Sequence, residues 1–272
     1  MKKIWMGCLA ILLIATARAQ QTEGKVVYER TTEMVMRFQG MDERIAQQIP
    51  RTRTDKFEIL FANGKSLRRQ LPAEESDEQA FQSAVGGDGR QMQFRMTVAG
   101  GDDVTFTDHL NGTYIDQREL GTKKVLVGDT IRKLSWKLTG DTKTILGYAC
   151  QAATTQRIST RMMTSMSNGE MKREEIQDTA NITAWFTTSI PASVSPEFAG
   201  QLPGLVLAID INNGRTVYKA IEVSPKVDVT AVKEPKEGKR LTPKEFADER
   251  SKLMRDMQTG GPGRGATIRF SN

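Results

Sequence analysis

Four Asn-Gly pairs, each set among residues that alternate between apolar and polar, constrain this chain more than any other feature. They fall at Asn63-Gly64, Asn111-Gly112, Asn168-Gly169 and Asn213-Gly214. Asn-Gly suits the positive φ angles of a type I′ turn, whose twist matches that of two antiparallel strands. Each pair therefore predicts a hairpin. Before the first turn Phe57, Ile59 and Phe61 alternate with Glu58, and before the second Val104, Phe106 and Leu110 alternate with Thr105 and Thr107. Leu205, Leu207, Ile209 and Ile211 share one face before the fourth turn, and Val217, Ile221 and Val223 follow it.

The alternation continues at Leu134, Trp136 and Leu138 against Lys133, Ser135 and Lys137, a strand with one packed and one wet face. Gly140-Asp141 reads as the turn from that strand into Ile145 to Thr155, and Thr183 to Thr187 reads as another strand. The fold class expected is mainly β: a curved antiparallel sheet of about ten strands, with a half-barrel as one form of the curvature. Helix signals are few. Thr242-Pro243-Lys244-Glu245 forms a capping box with proline at the first helical position, so an amphipathic C-terminal helix is expected over 243–258. A sheet with one apolar face needs a cover, and this helix is the expected cover of the concave face. Pro72 to Phe81 reads as a short acidic helix and Val85 to Arg90 as a loop.

The N-terminus carries an address. Met1-Lys2-Lys3 is basic, Ile4 to Ala15 is apolar, and Ala17-Arg18-Ala19 offers small residues at a cleavage site, so residues 1–19 are expected to be a cleaved signal peptide. The apolar run is about half of the ~20 residues that a membrane-spanning helix needs. Residues 20–258 are then expected to form one β-rich domain and 259–272 a flexible tail. No transmembrane span is expected in the mature form, which would sit in the periplasm, at the outer membrane, or outside the cell.

Loss of Lys2, Lys3 and Arg18 takes 3 from the formal net charge of +6, leaving a modest +3 and no basic cluster for nucleic acid. Of the two cysteines only Cys150 remains, which excludes an internal disulfide, and burial as an inert thiol is expected. His109 is the sole histidine, expected as an exposed hairpin residue, and there is no Gly-x-Ser-x-Gly elbow. No catalytic residue and no cofactor is assigned. The paired acids Asp102-Asp103 and Glu174-Glu175 point to opposite faces of a strand, so a carboxylate hydrolase acting on envelope polymers would need acids from separate segments.

The methionines are a further alternative, because thioethers hold Cu(I). Met34 with Met36, and Met92 with Met96, would share strand faces and are the candidate metal ligands.

Gly24-Lys25-Val26-Val27-Tyr28-Glu29, then Lys143 to Thr154, Ile182 to Phe186, and Gln201-Leu202-Pro203-Gly204-Leu205-Val206 occur in an order that resembles the GLPGLI family of exported Bacteroidota proteins. The resemblance implies no activity, since the family is largely uncharacterised. Gln201 stands where the first glycine of the hexapeptide is usual, and Val206 replaces isoleucine. Leu202, Pro203, Gly204 and Leu205 form either a type II turn with Gly204 at positive φ or a ligand and partner contact. A non-enzymatic envelope protein that binds an apolar ligand or another envelope protein is the reading these observations favour.

Overall fold

The computed structural model describes residues 21–33, 51–72, 103–167 and 170–259. The signal segment, the expected helix and loop between residues 73 and 90, and Met34, Met36, Met92 and Met96 lie outside the described residues. The described chain is mainly β, a single mixed sheet of twelve strands that is not closed into a barrel. In chain order the strands are β1 (Gly24–Glu33), β2 (Thr52–Ala62), β3 (Lys65–Gln70), β4 (Val104–Asp108), β5 (Thr113–Leu120) and β6 (Lys123–Thr130). The second half holds β7 (Lys137–Ile145), β8 (Tyr148–Ser167), β9 (Glu170–Thr187), β10 (Leu205–Ile211), β11 (Thr216–Ser224) and β12 (Lys239–Leu241), followed by helix α1 (Pro243–Thr259).

The order across the sheet is β12-β6-β5-β4-β3-β2-β1-β11-β10-β9-β8-β7. It joins two meanders along β1 and β11, and every neighbouring pair is antiparallel except β12, which runs parallel to β6. This order forces curvature. Strands β6 and β7 lie ten strand spacings apart, which is about 48 Å in a flat sheet, yet residues 131–136 link them with a reach of only about 24 Å. The sheet must therefore bend until its two flanks approach, with the link running as a chord across the concave side.

Turn chemistry explains the hairpins. Asn63 and Gly64 take φ of 52° and 69° between β2 and β3, as a type I′ turn requires. Asn111-Gly112 and Asn213-Gly214 sit in longer loops in which aspartates cap free amides: Asp108 accepts from the Leu110 and Asn111 N–H groups, and Asp210 from Gly214 N–H. Asn168-Gly169 lies outside the described residues, between β8 and β9, which pair as far as Ser167 opposite Glu170.

Gly140-Asp141 is a bulge rather than a turn, because the β7–β8 register shifts between Leu138 and Thr142. The chain reverses at Leu146-Gly147 instead, with φ of 50° and 82°. Leu134 and Trp136 pack inward as their alternation predicts, but they belong to the extended chord before β7, and Leu138 is exposed.

The main core lies on the concave face. Val26 and Tyr28 of β1, Phe57, Ile59 and Phe61 of β2, and inward residues of β8 to β11 meet there. Its cover is not the C-terminal helix. The irregular segment 188–204 fills that place, burying Ile190, Val194, Phe198 and Leu202 in the same core. The capping box does form, since Thr242 N–H donates to Glu245 Oε2 and Glu245 N–H to Thr242 Oγ1. However, α1 packs only at the β6 end, with Phe246 on Val125, Val127 and Leu241. Amphipathic periodicity says that a helix has an apolar face, and not which part of the sheet it covers.

On the convex side, residues 225–238 carry the chain from β11 to β12. Gln117 and Lys124 bond Glu237 there, and Gly238 presses against the Lys124 carbonyl, 2.8 Å from where a Cβ would stand.

Candidate functional site

Strand register assigns a face to each side chain, because directly opposed residues point the same way. Across β2, β3, β4 and β5 the concave row through Ile59 continues into Arg68, Thr105 and Asp116. The row through Phe61 continues into Ser66, Thr107 and Tyr114. The concave face thus turns from apolar on β1 and β2 to polar on β3–β5, and becomes apolar again at Val125 and Val127 of β6 beneath α1. A polar strip runs between the two covers.

The strip is half-buried and internally organised. Asp116 accepts from Thr105 Oγ1 at 2.7 Å and from Arg118 Nη2 at 2.9 Å, and the Arg118 guanidinium lies over the Phe246 ring. Burial pushes the Tyr114 hydroxyl above its ordinary pKa, with the nearby Asp116 and Asp129 adding to the effect. Two residues close the ends of β4. At one end Asp103 is partly buried, which raises its pKa, and its Oδ1 is buried with no hydrogen-bond partner among the described residues. At the other, His109 pairs its Nε2 with Ser66 Oγ at 3.0 Å, while its Nδ1 is buried and has no partner among the described residues. Burial lowers the His109 pKa and keeps the ring neutral. The expected exposed histidine is therefore a half-buried one, packed beside Gly200 of the cover.

A charged network fixes the cover along the margin of the apolar core. Asp55, Arg30 and Tyr218 stand directly opposite one another on β2, β1 and β11. Arg30 holds Asp55 through two nitrogens, at 3.1 and 3.0 Å. Tyr218 donates to Glu197 Oε2 at 3.0 Å, and Arg157 donates to Glu197 Oε1. Burial, with Glu197 nearby, pushes the Tyr218 hydroxyl up to about 12. Arg68 donates to the Pro196 carbonyl and lies 4.5 Å over the Phe57 ring.

The Leu-Pro-Gly-Leu segment is where cover and sheet join. Leu202 and Leu205 are buried in the core, and Gly204 N–H donates to the Leu202 carbonyl in a three-residue turn around Pro203. Gly204 does not take a positive φ, so the expected type II geometry is absent. Glycine is required there for another reason, because a Cβ would stand 2.1 Å from the Thr187 carbonyl oxygen. Gln201 has a use that the missing glycine of the hexapeptide did not suggest. Its Oε1 accepts from Leu134 N–H and Trp136 Nε1, each at 3.0 Å, and its Nε2 donates to the Arg132 carbonyl, clamping the chord.

The sequence-level catalytic candidates do not converge. Cys150 is fully buried, with its thiol pushed up by burial. Among the described residues no three His, Cys, Asp or Glu side chains gather around a common point. Asp102 and the candidate methionines lie outside the described residues. The strip itself was missed in the sequence, where Arg68, Thr105 and Asp116 look like an ordinary solvated face.

These features define an open, curved single-sheet protein with an irregular cover and a polar concave strip. A family model described as "Protein of unknown function (Porph_ging)" matches residues 136–208, from the chord to β10. The structure of PNGF-II in the C2 space group is similar in fold. The C2 form is 16% identical with a TM-score of 0.50, covering 85% of this chain and 33% of that one. The P21 form is 16% identical with a TM-score of 0.49, covering 85% and 34%. This chain thus spans about a third of the length of those proteins. No curated protein matches it. Among the described residues no helix is long and apolar enough to cross a membrane.

Proposed function

We propose that this chain is an exported, non-catalytic binding protein of a bacterial cell envelope, related to the GLPGLI proteins, and that it engages another envelope component through the polar concave strip. One observation carries the reading: a polar, half-buried sheet face lies between two apolar covers, where a purely structural face would be apolar or fully wet. The apolar concave face is already filled by Ile190, Val194, Phe198 and Leu202. A polar partner therefore suits the site better than an apolar ligand. Export rests on residues 1–19 and their Ala17-Arg18-Ala19 end.

The test places a photo-crosslinking side chain at Gln70, on the concave face, and for comparison at Lys219, an exposed convex position. In intact cells, adducts from Gln70 and not from Lys219 are expected. Equal labelling from both positions, or none from Gln70, overturns the proposal.

A further inference from the structure

Strands β8 and β9 outrun the rest of the sheet. β7 accompanies β8 only to Thr154, opposite Lys137, and β10 accompanies β9 only to Ile182, opposite Ile211. The twelve pairs from Gln156–Asn181 to Ser167–Glu170 therefore form a two-stranded ribbon, which reaches about 40 Å past the sheet. Among the described residues no other strand pairs with it. Two strands alone are marginally stable in water, and added strands make such a unit stable.

The two edges of the ribbon differ. Between Glu170 and Ala180 the β9 edge carries Glu170, Lys172, Arg173, Glu174, Glu175 and Asp178, a charge density that opposes the addition of another strand. Between Gln156 and Ser167 the β8 edge carries only Arg157 and Arg161 as charges, with no proline and no glycine. Its backbone is also aimed outward. Alternate residues of β8, starting at Tyr148 opposite Ile145, turn N–H and C=O toward β7 as far as Thr154. The same parity gives Ile158, Thr160, Met162, Thr164 and Met166 the outward groups along the open edge, where Ile158 is 67% exposed.

This edge is complementary to itself. In an antiparallel pairing about a two-fold axis at residue 162, Ile158 stands opposite Met166, and Thr160 opposite Thr164 of a second copy. Arg157 then stands opposite Ser167 and Arg161 opposite Met163, so no like charges oppose each other. Residues 158, 162 and 166, with 171 opposite 166, fall on one face of the resulting four-stranded sheet in both copies. One open edge per chain closes the assembly at two copies, because the charged β9 edges lie outermost.

We propose that this chain forms a two-fold dimer by antiparallel pairing of its β8 edges over residues 157–167, in the strand order β9-β8-β8-β9. The interface is separate from the polar strip and does not rest on the binding reading above.

Sedimentation velocity of the purified protein across the micromolar range is expected to show a monomer–dimer equilibrium. Thr164→Pro removes an outward N–H from each copy and none from the β8–β9 pairing, so the dimer weakens about tenfold or more while circular dichroism stays unchanged. Gln177→Pro, the matching change on the outward side of β9, leaves the dimer intact. A second measurement removes no backbone bond: a short bismaleimide is expected to join two Met162→Cys chains across the axis and not two Gln177→Cys chains. A monomer at every concentration, a dimer indifferent to Thr164→Pro, or chains joined equally through residues 162 and 177 overturns the inference.

Discussion

Gly204→Ala is the sharpest test of how the cover is fixed to the sheet. The added Cβ would lie 2.1 Å from the Thr187 oxygen and 2.9 Å from its carbonyl carbon, and both atoms are backbone. No side chain can rotate away, so the end of β9 and the start of β10 must part by roughly 1 Å to reach ordinary contact. That movement acts on three hydrogen bonds: Leu205 N–H to Ile190 O at 3.0 Å, Val206 N–H to Val194 O at 2.9 Å, and Tyr28 hydroxyl to Val206 O at 2.6 Å. Overpacking costs about 1–3 kcal/mol and each lost bond about 1 kcal/mol, so a loss of roughly 4–6 kcal/mol is expected if all three bonds break. The comparison variant is Gly140→Ala, where a Cβ meets nothing within 4 Å and only the positive φ of 85° is penalised, at about 1–2 kcal/mol. Urea unfolding followed by tryptophan fluorescence and circular dichroism measures both. A loss for Gly204→Ala no greater than that for Gly140→Ala would refute close approach as the reason for glycine.

Gln201→Gly restores the usual residue of the hexapeptide and is expected to destabilise this chain by about 2 kcal/mol, because Leu134 N–H and Trp136 Nε1 lose their acceptor. Unfolding curves and a red shift of Trp136 emission check it. Stability should fall at alkaline pH. Tyr28 and Tyr218 have hydroxyl pKa values raised by burial, Tyr218 to about 12 and Tyr28 further, while in the unfolded chain they ionise near 10. Their contribution is complete below about pH 10 and is lost above it as the unfolded state releases protons first. Unfolding midpoints from about pH 8 to about pH 12 should show this slope, with Tyr218→Phe reducing it. Cys150 should resist a thiol reagent in the native state and react once the chain unfolds, as mass spectrometry of labelled protein will show.

The hairpins were legible because Asn-Gly marks the place of a reversal, although only Asn63-Gly64 takes the type I′ geometry, Asn111-Gly112 and Asn213-Gly214 lying in longer loops. Leu146-Gly147 was not, since leucine at positive φ carries no turn signal and is held there by the pairing of Ile145 with Tyr148. Gly140 and Asp141 have the composition of a turn, yet β7 continues past them, and composition alone does not separate a bulge from a reversal. The capping box fixed where α1 begins but not what it covers. The cover 188–204 has no period, so nothing in its residues marks it as the lid of a core. The strip was hidden for a related reason: alternation divides a strand into two faces, and only the register across β2 to β5 shows that the polar face of β3–β5 continues the apolar face of β1 and β2. His109 was visible as a residue; its burial depends on Ser66 and on Gly200 of the distant cover.

Cover and strip occupy different stretches of the chain. Residues 136–208, the span of the family match, contain the end of the chord, the β7–β9 flank, the cover and the start of β10, which pack against β1, β2 and β11 to form the concave core. Strands β3 to β5, spanning Lys65–Gln70 and Val104–Leu120, lie wholly outside that match. The irregular cover over the curved apolar sheet, residues 188–204, is separate along the chain from the strands that present the strip, although Arg68 donates to its Pro196 carbonyl. A change in the strip should then leave the scaffold intact. Replacing Gln70 by alanine is expected to shift stability by no more than about 1 kcal/mol, since its side chain is half-buried and outside the main core, while weakening strip-dependent binding. Calorimetry and capture of envelope components by the same variant decide it. Loss of folding together with binding would mean that strip and cover fold as one unit.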